Sequence, residues 1–330
     1  MTTKGDAPSW SSDGRRLAFA HDGEIFVVGR RGGGLRQLTR WRVDSEPRLS
    51  PDGSRIAFTR GSGSYTASRP ESVYLIGGAS GGRRLVGAGS DASWSPDGRR
   101  LAYIDHVRVE SKRSPAIDRV VVFDVDSRTR TSVATGTSPA WSPDGERIAF
   151  MRYTFSRATH GWEIGSSSLL TMRADGADVH ELTSTSGETR LFAPAWSPDG
   201  KTIVVSGDTD YGDFAEFVDP TSGATRRLDV DVGSALVWSP GGNELAFHTY
   251  ASIGILDVET GKARTLLQSD KLAYRDVVWS PDGRQVGFIR CASPEPEDCD
   301  VYAMNADGTD QRRLTRTRGL EYGLDWGSAG

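Results

Sequence analysis

A chain of 330 residues with 36% apolar and 25% charged residues, 39 glycines and 15 prolines has the composition of a globular, turn-rich protein and not of a disordered polymer. Its formal net charge of −4 gives no global basic field, which argues against nucleic acid or an anionic membrane surface as the main partner. No run of about 18 apolar residues offers a membrane span, so no membrane insertion is expected.

The N-terminus, Met1-Thr-Thr-Lys-Gly-Asp6, lacks the apolar stretch of a signal peptide. The first repeat begins at once after it, and a leader or anchor is expected to lie outside this chain. A five-residue signature then recurs as Trp10-Ser-Ser-Asp-Gly14, Leu49-Ser-Pro-Asp-Gly53, Trp94-Ser-Pro-Asp-Gly98, Trp141-Ser-Pro-Asp-Gly145, Trp196-Ser-Pro-Asp-Gly200, Trp238-Ser-Pro-Gly-Gly242 and Trp279-Ser-Pro-Asp-Gly283, with a last start at Trp326. The intervals of 39, 45, 47, 55, 42, 41 and 47 residues match one propeller blade each.

Every unit carries four strand signals. A short strand ends at the Trp and turns through Ser-Pro-Asp-Gly, where Pro presets φ and Gly accepts the left-handed position. An alternating strand follows, as in Arg16-Leu-Ala-Phe-Ala20, Arg55-Ile-Ala-Phe-Thr59, Arg147-Ile-Ala-Phe-Met151 and Glu244-Leu-Ala-Phe-His248, whose period of two is expected to bury Leu or Ile and Phe on one face. Third strands read Ile25-Phe-Val-Val28, Val73-Tyr-Leu-Ile76, Val120-Val-Val-Phe123 and Val301-Tyr-Ala-Met304; fourth strands read Leu35-Arg-Gln-Leu-Thr39, His180-Glu-Leu-Thr183 and Arg312-Arg-Leu-Thr315. A lone four-stranded blade cannot bury both of its faces, so blades stack around an axis. The prediction is an all-β, seven-bladed β-propeller of four-stranded antiparallel blades, one domain over 1–330. The surplus strand Gly323-Leu-Asp-Trp326 predicts a ring closed by N- and C-terminal strands sharing a blade.

The Trp-Ser-Pro-Asp-Gly and Ile-Ala-Phe pattern, with the ending Tyr302-Ala-Met-Asn-Ala-Asp-Gly-Thr-Asp-Gln-Arg-Arg-Leu-Thr315, resembles the TolB-like propeller repeat across essentially the whole chain. It is also similar to the propellers that precede the hydrolase domain of prolyl-oligopeptidase-type peptidases. The resemblance implies protein binding, substrate gating or, less often, lyase chemistry. One feature departs from it: seven units where TolB has six.

Connections from second to third strands are long and irregular at 60–72, 105–119, 152–168, 207–213 and 290–300, so a ligand is expected on that face and its central funnel. Candidate ligand-binding residues there are Trp41, Arg42, Tyr65, Arg69, His106, Arg108, Tyr153, Arg157, His160, Trp162, Glu163, Tyr211, Tyr274, Arg275 and Tyr322. Aromatics beside Arg suit recognition of a protein, peptide or glycan, although loop charges are usually only solvated and loop aromatics often pack the loop itself. Asp105 with His106 and His160 with Glu163 are the local acid-base pairs that a funnel lyase or hydrolase, the alternative reading, would use.

The repeated turn aspartates Asp13, Asp52, Asp97, Asp144, Asp199 and Asp282 read as turn stabilisers. Histidine spacing shows no metal motif and no Gly-rich loop opens a helix, so neither metal nor cofactor is expected. Binding without catalysis by a monomer is the leading expectation. Cys291 and Cys299 bracket a segment between two antiparallel strands, a placement that suits a cross-hairpin disulfide and with it an extracytoplasmic compartment, periplasmic or secreted.

Overall fold

The computed structural model describes residues 8–41, 43–61, 71–77, 82–107, 117–158, 161–233, 235–292 and 299–315. Each signature turn folds the same way. In blade 2 the Ser50 hydroxyl donates to Asp52 at 2.5 Å and accepts from the Arg55 amide at 2.9 Å, and the same pair of bonds joins Ser142 to Asp144 and Arg147 and Ser280 to Asp282 and Gln285. The serine thus satisfies two partners across the turn and the aspartate is held ionised. Ser50 and Ser54 hydrogen bonds take Asp52 down to about 2, and the Ser280 bond likewise takes Asp282 to about 2. These carboxylates are turn stabilisers, as their repetition implies.

Seven four-stranded antiparallel sheets result, each built from four consecutive strands. Blade 1 uses Ser9–Trp10, Arg16–His21, Glu24–Gly29 and Arg36–Gln37; blade 7 uses Leu272–Trp279, Gln285–Ala292, Cys299–Asn305 and Arg312–Arg313. The first strands touch one another in turn around the axis, and Leu272–Trp279 meets Ser9–Trp10 to complete the circle. The N-terminal strand therefore takes the innermost place of blade 1. The segment 323–326, expected to share a blade with it, lies outside the described residues.

Side-chain packing explains the Ile-Ala-Phe triplet and refines the one-face expectation. Both faces of the second strand are buried because each faces a different neighbour. Leu17 and Phe19 join Ile289 and Val301 of blade 7, whereas Ala18 and Ala20 between them join Ile56 and Phe58 of blade 2. Ala102 receives Ile148 and Phe150, Ala149 receives Ile203 and Val205, and Ala246 receives Val286 and Phe288. Large residues of one blade sit on small residues of the previous one, which keeps the interior dense while letting blades approach.

The recurring Trp ties the ring together by hydrogen bonds. The indole Nε1–H of Trp94 donates to the Arg48 carbonyl at 2.9 Å, Trp141 to Ser93 at 3.1 Å, Trp196 to Ala140 at 3.2 Å, Trp238 to Ala195 at 3.0 Å and Trp279 to Val237 at 3.1 Å, each acceptor lying in the preceding blade. Blade 2 has Leu49 instead, and its amide donates to the Ser9 hydroxyl at 3.0 Å. Trp10, at the closing junction, has a buried Nε1 with no partner among the described residues.

Candidate functional site

Five of the seven innermost strands, those of blades 2, 3, 4, 5 and 7, share an irregularity that shapes the central funnel. Three residues before the Trp, or before Leu49 in blade 2, the backbone turns left-handed at Glu46 (φ 54°), Asp91 (56°), Ser138 (51°), Ala193 (43°) and Asp276 (43°). The pairing register slips at each of these places. Such bulges re-aim side chains and collect beside binding sites, and a non-glycine residue in this region costs roughly 1–3 kcal/mol. The bulge itself belongs to the architecture, since Ala193 adopts it too. Its side chains differ by blade: carboxyls in blades 2, 3 and 7, a hydroxyl in blade 4 and a methyl in blade 5.

Those carboxyls gather with cations on one side of the channel. Glu46 and Arg48 act electrostatically on both Asp91 and Asp276, which brings blades 2, 3 and 7 into one cluster. Glu46 accepts from the Thr59 hydroxyl at 2.8 Å and from the Asp91 amide at 3.3 Å. Burial, reinforced by the charge of Glu46, pushes Asp91 up to about 6, against the opposing pull of Arg48 and His106. Burial likewise raises Asp276 and lowers His248 beside it, so both members of that pair are driven toward their neutral forms. His248 Nδ1 is buried without a hydrogen-bond partner among the described residues. The cluster can hold a charged, hydrogen-bonding group and, through Asp91, can take up or release a proton near neutral pH.

The candidates read from the sequence fall in several places. Arg275 lies in this cluster, acting on both Asp276 and His248. His106 reaches it from blade 3, where it bonds Asp118 and Ser90. Tyr274 is instead a core residue, 4% exposed with its ring 6.2 Å from that of Phe288, because the strand alternation turns it inward beside Arg275. Tyr153 donates to the Leu191 carbonyl of the next blade at 3.1 Å, and burial pushes its phenol up to about 12. It lines a cavity of about 190 Å³ with Ile117, Asp118, Arg152 and Phe155.

Trp41 stands on the rim, 56% exposed, with the Arg60 and Arg83 guanidinium groups 4.8 and 5.1 Å from its ring. Arg60 is in turn held bidentately by buried Asp44 at 2.6 and 3.0 Å. Tyr211 projects from a turn tip at 96% exposure, and Glu163 is exposed on the long hairpin of blade 4. Arg42, Tyr65, Arg69, Arg108, His160 and Tyr322 lie outside the described residues, as do the side chains of Arg157 and Trp162. A cavity of about 580 Å³ between blades 1 and 2, lined by Arg16, Leu38, Leu49, Asp52 and Ile56 among others, touches none of the channel charges.

Sequence reasoning missed Glu46, Arg48, Asp91, His248 and Asp276. For the three carboxylates a signal was available: aligning the repeats on the Trp, or on Leu49 in blade 2, places all three at one position.

No protein-family model matches the chain. Among curated proteins it is 24% identical over 299 residues to the uncharacterised protein Atu1656 of Agrobacterium fabrum, covering 86% of this chain and 84% of that one. It is 26% identical over 269 residues to the uncharacterised peptidase YuxL of Bacillus subtilis, where the match takes in 79% of this chain but only 32% of the relative. Solved structures with this fold include puromycin hydrolase (TM-score 0.70, 16% identity, 97% of this chain and 55% of that one) and oligogalacturonate lyase in complex with manganese (0.67, 15%, 90% and 87%). TolB of Acinetobacter baumannii follows at 0.53 and 18%, over 90% and 75%. At these identities the likeness is one of fold. Among the described residues no three His, Cys, Asp or Glu side chains stand together as a metal site, so the manganese of the lyase finds no matching donor set among them.

The two cysteines form the expected bridge. Cys291 and Cys299 are disulfide-bonded across the second and third strands of blade 7, with Cα atoms 4.0 Å apart.

Proposed function

We propose that this chain is a ligand-binding propeller whose central funnel takes a peptide segment bearing charged groups. The observation that carries the reading is the convergence of Glu46, Asp91 and Asp276 with Arg48 and Arg275 on one side of the channel. Carboxylates and guanidinium groups together suit a ligand that brings both signs of charge, which a peptide does and a neutral glycan does not. Similarity to YuxL and to puromycin hydrolase, each matched over part of its length, supports a peptide as ligand. Trp41 and Tyr211 supply exposed aromatic area at the rim for the remainder of such a partner. The disulfide supports placement in an oxidising, extracytoplasmic compartment.

A second reading, a funnel lyase, is favoured by one observation: a carboxyl raised to about 6 is suited to general-base work near neutral pH. Calorimetric titration separates the two. Short peptides carrying Lys and Glu, neutral oligosaccharides and oligogalacturonate are titrated into the wild type, Asp91→Asn and Arg48→Ala. The binding reading expects peptide affinity that falls about tenfold or more in each variant, the size of one lost charge-assisted bond. Equal affinity for neutral oligosaccharides, unchanged in both variants, would sink it, and Asp91-dependent formation of unsaturated sugar products would establish the lyase.

A further inference from the structure

Blade 3 holds a hydrogen-bonded chain of three side chains that borders the funnel cluster, with His106 coupled to Asp91. Ser90 opens the innermost strand Ser90–Trp94, His106 lies near the end of Arg100–Val107, and Asp118 near the start of Ile117–Asp124. Antiparallel register places His106 opposite Asp118 and Ile104 opposite Ser90. Residues 104 and 106 share a face of their strand, so the His106 ring spans from one neighbouring strand to the other. Its Nδ1 stands 2.8 Å from Asp118 Oδ1 and its Nε2 stands 2.8 Å from Ser90 Oγ.

This order of groups has a chemical consequence. A carboxylate accepts only from a protonated nitrogen, so Asp118 selects the tautomer with its proton on Nδ1. That leaves Nε2 as the acceptor for the Ser90 hydroxyl. Glu71, 3.7 Å from Nε2, and Asp91, electrostatically coupled to His106, add negative charge where an imidazolium would form. Ser90 is buried, 6% exposed, whereas the His106 side chain is 37% exposed, so the imidazole is the part of this chain that meets solvent. The backbone before Ser90 is tightly constrained: Gly89 has φ 130°, and a Cβ there would lie 1.8 Å from the Ile104 carbonyl oxygen.

We propose that Ser90 is a nucleophile activated by His106 and oriented through Asp118, an acyl-accepting site at the blade 3 edge of the funnel cluster. In the step, Ser90 Oγ bonds to the carbonyl carbon of an ester while its proton passes to His106 Nε2. The bond from that carbon to the alkoxide then breaks, and the leaving oxygen takes the proton from Nε2. Water repeats the sequence on the acyl-serine, releasing the carboxylic acid and restoring Ser90.

The test is active-site labelling of the full chain with diisopropyl fluorophosphate, followed by peptide mapping, with p-nitrophenyl acetate hydrolysis measured in parallel. The expected result is one adduct, on the peptide carrying Ser90, absent in Ser90→Ala. Labelling should slow by about 100-fold or more in Asp118→Asn and His106→Gln, each variant being checked for an unchanged circular dichroism spectrum. Asp118→Asn is isosteric and keeps the test usable if the histidine variant fails to fold. An unlabelled Ser90 in the wild type, or a rate at Ser90 that Asp118→Asn leaves unchanged, overturns the proposal.

Discussion

Replacing Asp91 by Asn should stabilise the protein at neutral pH, and by an amount that depends on pH in a defined way. The carboxyl moves from 3.8 to about 6 on folding, chiefly through burial and then through the charge of Glu46. A folded-state value above the unfolded one means that the folded chain binds this proton more tightly. The penalty is therefore absent below about pH 4, grows as the pH rises between 3.8 and about 6, and is complete above that. A rise of about 2 at about 1.4 kcal/mol per tenfold change in proton affinity gives about 3 kcal/mol. Asp91 is only half-buried, and solvent screening at such a site reduces this to about 1–2 kcal/mol. Urea unfolding of the wild type and Asp91→Asn at pH 4 and pH 7.5 measures it. The Asp91→Asn protein should lead by that margin at pH 7.5 and draw level at pH 4. A variant that is no more stable at pH 7.5, or whose advantage persists undiminished at pH 4, would refute the reasoning. The stabilisation would mark Asp91 as retained for binding at the expense of the fold.

Trp196→Phe removes the indole bond to the Ala140 carbonyl of the preceding blade and should cost about 1–2 kcal/mol in urea unfolding. Trp10→Phe, which removes a buried donor that has no partner among the described residues, should cost less; equal losses would argue against the inter-blade hydrogen bonds as the reason for the repeated Trp. Asp52 and Asp282, both held at about 2, contribute stability that is present above 3.8 and lost as the pH falls through 2. The double variant Asp52→Asn and Asp282→Asn should thus show a flatter decline in melting temperature between pH 4 and pH 2 than the wild type. Thiol reagents should leave Cys291 and Cys299 unlabelled in unreduced protein, folded or unfolded, and label both after reduction; stoichiometric labelling without reductant would remove the support for an oxidising compartment.

The architecture was legible because its signals are local. Ser-Pro-Asp-Gly closes a turn whichever blade it stands in, and the serine and aspartate that specify it bond each other and backbone amides up to five positions away. The site was less legible. Arg275 and His106, expected at a binding face from their residue types, both reach the channel cluster. Tyr274, chosen by the same logic, is a core ring against Phe288. Near a strand end, residue type does not say which way the alternation points a side chain.

Amino-acid order alone determined the number of blades, the strands within each and the disulfide partners, since turn chemistry and period-two burial act over a few residues. Only the closed ring decided that Ala18 faces blade 2 while Leu17 faces blade 7, and that Glu46, Asp91 and Asp276 share one wall of the channel. Electrostatic coupling between residues so far apart in the chain exists only when stacking of successive blades brings their innermost strands around a common axis and excludes much of the water between them.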